Sequence, residues 1–102
     1  MARAMARVAS ASGVATSDVS DFVSTFLQVT IDDISTGTGT VTITAKPADA
    51  EDFSPVTDGT IDLSDSTAPK CVLIQGDFEA ITATSDQSGD SFDLLVTSVP
   101  IR

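Results

Sequence analysis

The sequence predicts a small all-β domain: an antiparallel β-sandwich of about six or seven short strands, preceded by an N-terminal arm. Three observations carry this expectation. Apolar and polar residues alternate with period two in several short stretches. Clusters of Gly, Asp, Ser and Pro interrupt those stretches at short, regular spacing. Ser and Thr are abundant, and the aromatic residues are five Phe with no Tyr or Trp, as suits a thin aliphatic core with a solvated outer face. A chain of 102 residues fits one domain of this kind.

Residues 1–15, "MARAMARVASASGVA", are small, flexible and slightly basic, the character of an arm rather than of a core. Two patterns then overlap. Val19, Phe22, Val23, Phe26 and Leu27 fall at helical spacing, with Thr16 or Ser17 placed to cap and Asp18 in the first turn. Leu27, Val29 and Ile31 alternate with Gln28 and Thr30, as in a half-buried strand. Ser20, Ser24 and Thr25 weaken the helix. Residues 1–22 are therefore expected to be an N-terminal arm, extended or partly helical. Residues 23–102 are expected to be the sandwich, its first strand over about 23–33.

Ser35–Gly39 reads as a hairpin loop. In "TVTITAKP" (40–47), Val41, Ile43 and Ala45 are expected to point inward and Thr40, Thr42 and Thr44 outward. Threonine keeps β-branched strand propensity while tolerating water, and Pro47 ends the strand. Residues 48–56 form a loop anchored by Phe53. Asp58-Gly59 signals a turn, followed by a short strand at Thr60–Leu63 and a loop at 64–69. Lys70–Gln75 is a strand, Gly76-Asp77 a tight turn, and Phe78–Thr84 its antiparallel mate. After a turn at 85–90 comes the last strand, Ser91–Ser98, with Phe92, Leu94 and Val96 on one side. Leu95 and Val99 fall on its other face, and Ile81 is opposite Phe78 in its own strand. Either a neighbouring subunit covers these residues, or they reflect strand-end irregularity or a bulge that switches the faces.

The net charge is −10 and it is uneven. Residues 1–17 carry Arg3 and Arg7 and no acid, whereas residues 18–102 hold fifteen acids against Lys46, Lys70 and Arg102, a net −12. So acidic a body repels phosphates, which argues against direct nucleic-acid binding and favours solubility. Cys71 is the one cysteine, so no intrachain disulfide can form. Within the apolar run Cys71–Ile74 it reads as a small buried hydrophobe rather than a nucleophile, and there is no histidine to activate it. No stretch has the apolar length of a membrane helix or a signal peptide. Synthesis in a cytoplasm is the expectation.

No catalytic, cofactor-binding or metal-binding residue is assigned, and no cofactor is expected. "DQSGD" (Asp86–Asp90) outlines a Ca²⁺ loop but lacks the closing bidentate Glu. The plainer reading is a polar turn with Gly89 at positive φ. Asp32-Asp33 and Asp49/Glu51/Asp52 read as solvated loop ends. The acids are scattered for a glycosidase pair, and no phosphate loop, dinucleotide fingerprint or nucleophile elbow occurs. The chain is not expected to be an enzyme.

The layout from residue 38 to 98 resembles small virion proteins of tailed bacteriophages. Its elements are "GTVTITAKP", "EDFSPVTDGTIDL", "CVLIQG", "FEAITATS" and "SFDLLVTS", covering about the last two-thirds of the chain. The resemblance implies a β-sandwich that decorates a capsid, forms head fibres or sits on a tail, often as a trimer. It also implies virion proteins as partners: the major capsid protein or tail components. The function expected is a capsid decoration (cement) protein, located in the virion, made in the host cytoplasm, and bound through its arm and strand faces. The alternative is a tail or fibre component, or a host- or glycan-binding β-sandwich module, against which the absence of Trp and Tyr counts.

Overall fold

The computed structural model describes residues 4–22 and 26–99. They form eight strands: β1 (Met5–Ala9), β2 (Val14–Asp18), β3 (Phe26–Thr36), β4 (Thr40–Pro47), β5 (Ser54–Asp62), β6 (Cys71–Gln75), β7 (Phe78–Ser85) and β8 (Ser91–Ser98). One sheet has the order β1-β8-β3-β6, the other β2-β7-β4-β5, and every pairing is antiparallel.

The pairings have a simple logic. β4 pairs with β5, β3 with β6, β2 with β7 and β1 with β8. These pairs are nested, as in one long two-ply ribbon whose tip is the β4–β5 connection. Rolling the ribbon adds the β3–β8 and β4–β7 pairings and splits it into two stacked sheets. The resulting strand order is that of a jelly roll. Only β4 and β5 are consecutive strands of one sheet, so every other connection crosses between the layers.

The inward residues fill the space between the sheets. Leu27, Val29, Ile31, Phe92, Leu94 and Val96 come from one layer, and Val41, Ile43, Ile61 and Ile81 from the other, all at most 2% exposed. Ala15, Ala45 and Ala83 are also buried in the second layer. There Ala83 lies opposite both Ala15 and Ile43, and Ile81 lies opposite Ala45. Large residues beside small ones fill a thin core. The expected faces of β4 hold: Val41, Ile43 and Ala45 are buried while Thr40, Thr42 and Thr44 are outward. β8 has the expected bounds and buries Phe92, Leu94 and Val96.

Several expectations are corrected. Over its described part, 4–22, the N-terminal segment is neither an arm nor a helix. β1 and β2 are edge strands of the two sheets, and Ala15 and Val19 belong to the core. Small residues are what these strands need beside β8 and β7, and that raises the strand count to eight. The start of the expected first strand, residues 23–25, lies outside the described residues. Ser35–Gly39 and Gly76-Asp77 do not close hairpins, because β3 and β4, like β6 and β7, belong to different sheets. Asp58-Gly59 is not a turn between strands. It lies inside β5, where Asp58 has φ +55° and the β4–β5 register shifts between Thr42 and Thr44, a β-bulge. Phe53 does not join the core: it is 41% exposed and lies at the surface with Lys46 and Glu79.

Candidate functional site

The crossovers β1–β2, β3–β4 and β7–β8 meet at one end of the sandwich. Ser85 N–H donates to the Gly13 carbonyl at 2.8 Å and Asp86 N–H to the Thr40 carbonyl at 3.1 Å. Gly13 has φ +77°, and a Cβ there would lie 2.8 Å from the Gln87 carbonyl oxygen, so a side chain would collide with backbone. At the centre of this end is Asp90, 3% exposed. Its Oδ1 accepts from Thr38 N–H (2.8 Å) and Thr38 Oγ1 (2.9 Å). Its Oδ2 accepts from Gly39 N–H (3.0 Å) and Ser85 Oγ (2.6 Å). The Ser85 hydroxyl, with the Thr38 and Gly39 donors, outweighs burial and holds the carboxyl down at about 2.

"DQSGD" is thus a pair of internal acceptors. Asp86 Oδ1 takes the Thr40 N–H at 3.0 Å, and Asp90 joins two crossovers that are distant in sequence. Gly89 is not among the positive-φ residues, and space around it is open, so the turn does not depend on it as expected. Among the described residues no three of His, Cys, Asp and Glu gather as a metal-binding group. The other acidic loops largely bond themselves. Asp18, Asp62 and Asp65 accept the backbone N–H of Ser20, Ser64 and Thr67, two residues on, and their carboxyls are pushed below the usual range first by the hydroxyls of those residues and then by the backbone bonds. Asp33, Asp49, Glu51 and Asp52 are exposed.

The three basic side chains among the described residues are all engaged. Arg7 of β1 reaches Asp93 of β8 and Asp32 of β3, each at 2.8 Å, holding Asp32 below the usual carboxylate range. Lys46 pairs with Glu79 at 2.7 Å. Lys70 donates to the carbonyls of Asp65 (2.6 Å) and Ala68 (2.8 Å). Among the described residues no cationic track for a phosphate backbone is formed.

Two outer faces remain. On the β2-β7-β4-β5 sheet, Thr16, Thr82 and Thr44 lie side by side, and Thr84, Thr42 and Thr60 form the next row. The Thr16 and Thr82 hydroxyls are 2.9 Å apart. This uncharged threonine field is bordered by Asp18 and Lys46 at one end and Asp62 at the other. On the β1-β8-β3-β6 sheet, Leu95 is outward and half-buried beside Arg7 and Thr30, and the alternation of β8 is unbroken, the register shift of the β3–β8 pairing falling between Asp32 and Thr36 of β3. Ile81 differs: it is fully buried, and the bulge lies between it and Phe78, where the register shifts at Lys46/Pro47. Cys71 is exposed, contrary to expectation, because β6 is an edge strand that turns Val72 and Ile74 inward instead. Beside it a groove of about 280 Å³ is lined by Pro55, Val56, Leu73, Ile74 and Phe78, among others.

Comparison with protein-family models, curated proteins and solved structures finds no match.

Proposed function

We propose that the chain is a non-enzymatic virion structural protein, a capsid decoration protein that docks by its strand faces. The observation that carries this reading is the jelly-roll strand order, an architecture used by viral coat domains and also by lectins and cupins. A fold hosts many functions, so the surface must choose among them. The threonine field is an uncharged sheet face on a chain of net −10. Covering it costs no charge desolvation, whereas covering the acidic loops would. The glycan-binding reading is less well supported, because neither Tyr nor Trp is present to stack on a sugar. With the described part of residues 1–22 built into the sheets, attachment is assigned to strand faces rather than to that segment.

The test is co-sedimentation of the purified chain with emptied heads and, separately, with tails of the phage whose genome carries its gene. Saturable binding to heads, reduced by Thr42→Lys and Thr84→Lys on the threonine field, is the expected result. Binding to tails alone would replace decoration with the tail reading, and binding to neither would refute a virion role.

A further inference from the structure

The sandwich has four edge strands, and three carry devices that discourage further pairing. β5 has Pro55 and the bulge at Asp58-Gly59, β1 carries Arg7, and β2 carries Asp18. β6, Cys71–Gln75, has no charge, no proline and no register shift. Its outward side chains are Cys71, Leu73 and Gln75, with Leu73 61% exposed.

The backbone polarity of this edge follows from one bond. Ile31 N–H donates to the Lys70 carbonyl at 2.8 Å, which makes Ile31–Lys70 a hydrogen-bonded pair of the β3–β6 ladder. Such pairs alternate along an antiparallel ladder. Val72 and Ile74 therefore also turn their N–H and C=O groups toward β3. Cys71, Leu73 and Gln75 turn theirs toward the free edge. Three donors and three acceptors, in the alternating close and wide spacing of an antiparallel edge, face outward beside the groove.

We infer that β6 pairs antiparallel with β6 of a second copy of this chain about a two-fold axis at Leu73, joining the two sheets into one of eight strands. A second copy fits because the edge is complementary to itself. With Leu73 opposite Leu73, Cys71 faces Gln75 on both sides of the axis, and all the outward backbone groups of both strands find partners. A shift by two residues would leave some of them unpaired. The same register places Lys70 of one copy next to Gly76-Asp77 of the other, so opposite charges flank the strand at both ends. The Leu73 side chains meet at the axis and leave water. This pairing needs nothing from the virion reading.

The experiment measures mass in solution and the position of a disulfide. Sedimentation equilibrium of the full chain should show a monomer–dimer equilibrium, and Leu73→Lys should shift it to monomer with an unchanged far-ultraviolet spectrum. In Gln75→Cys, the introduced thiol should oxidise with Cys71 of the other copy. Hydrogen-bonded antiparallel partners lie about 5.5 Å apart at Cα, within disulfide reach. The unaltered chain should not cross-link, since four residues along a strand separate the two Cys71 positions by about 13 Å. Adding Leu73→Lys to Gln75→Cys should abolish the cross-link. A chain that stays monomeric at every concentration, or a dimer indifferent to Leu73→Lys, would overturn the pairing. Cross-linking of the unaltered chain through Cys71 would overturn the register.

Discussion

Asp90→Asn should destabilise the protein in a way that depends on pH. The carboxylate accepts four hydrogen bonds at 2.6–3.0 Å from Thr38, Gly39 and Ser85. An amide keeps one oxygen, enough for the two Thr38 donors, and sets an NH₂ group against Gly39 N–H. Ser85 Oγ can rotate to accept, but Gly39 N–H is left facing a donor inside a buried site. Losing charge-assisted bonds and stranding a backbone N–H costs about 2–4 kcal/mol at pH 7. Linkage restates the same bonds as a pH dependence. A carboxyl held at about 2, against an ordinary 3.8, contributes about 2 kcal/mol of stability. Because the folded-state value is the lower one, this contribution is complete above the unfolded value near 4. It is lost as pH falls through the folded value near 2. Urea unfolding of both proteins, followed by circular dichroism at steps from pH 7 to pH 2, measures the gap. The gap should be widest at pH 5–7 and should narrow by about 2 kcal/mol toward pH 2. Taking the difference between the proteins cancels the other acids. An Asn variant as stable as the parent at pH 7, or a gap that does not change with pH, would refute the role given to Asp90.

Other outcomes follow from the same structure. Ile43→Ala empties a fully buried position and should cost about 2–5 kcal/mol in urea melts. Thr42→Ala, on the outer face, should cost within about 0.5 kcal/mol in the isolated protein; equal tolerance of both would mean the β4 faces are misassigned. Deleting residues 1–18 removes β1 and β2, strips both sheets of an edge, and takes Ala15 from the core. Cooperative thermal unfolding should be lost, and survival of a cooperative transition would contradict the placement of these strands. A chelator should leave the melting temperature unchanged, because both oxygens of Asp90 are taken by protein donors and no three of His, Cys, Asp and Glu gather among the described residues; a fall reversed by Ca²⁺ would expose a cation site.

The all-β class, the two faces of β4 and β8, and the full extent of β8 were legible from residue order. Period-two alternation acts within a single strand, so Val41, Ile43 and Ala45 declare a buried side without reference to any partner. The polar turn character of residues 85–90 was equally local. Pairing is not local. "MARVA" shows only Ala6 and Val8 on one side and "VATSD" only Ala15 and Ser17, too little to declare a strand alone; they become strands because β8 and β7 offer free ladder groups and room for small side chains. A loop containing Gly looks the same whether it closes a hairpin or crosses between layers, so Gly37–Gly39 and Gly76-Asp77 could not reveal which sheet received the next strand. The run Cys71–Ile74 is apolar at every position, leaving its register, and so the exposure of Cys71 and Leu73, to be decided by β3. Asp90 meets Thr38 and Gly39 across more than fifty residues of chain. Only the rolled ribbon brings those crossovers to one end, and with them the hydrogen bonds that make a turn aspartate part of the interior.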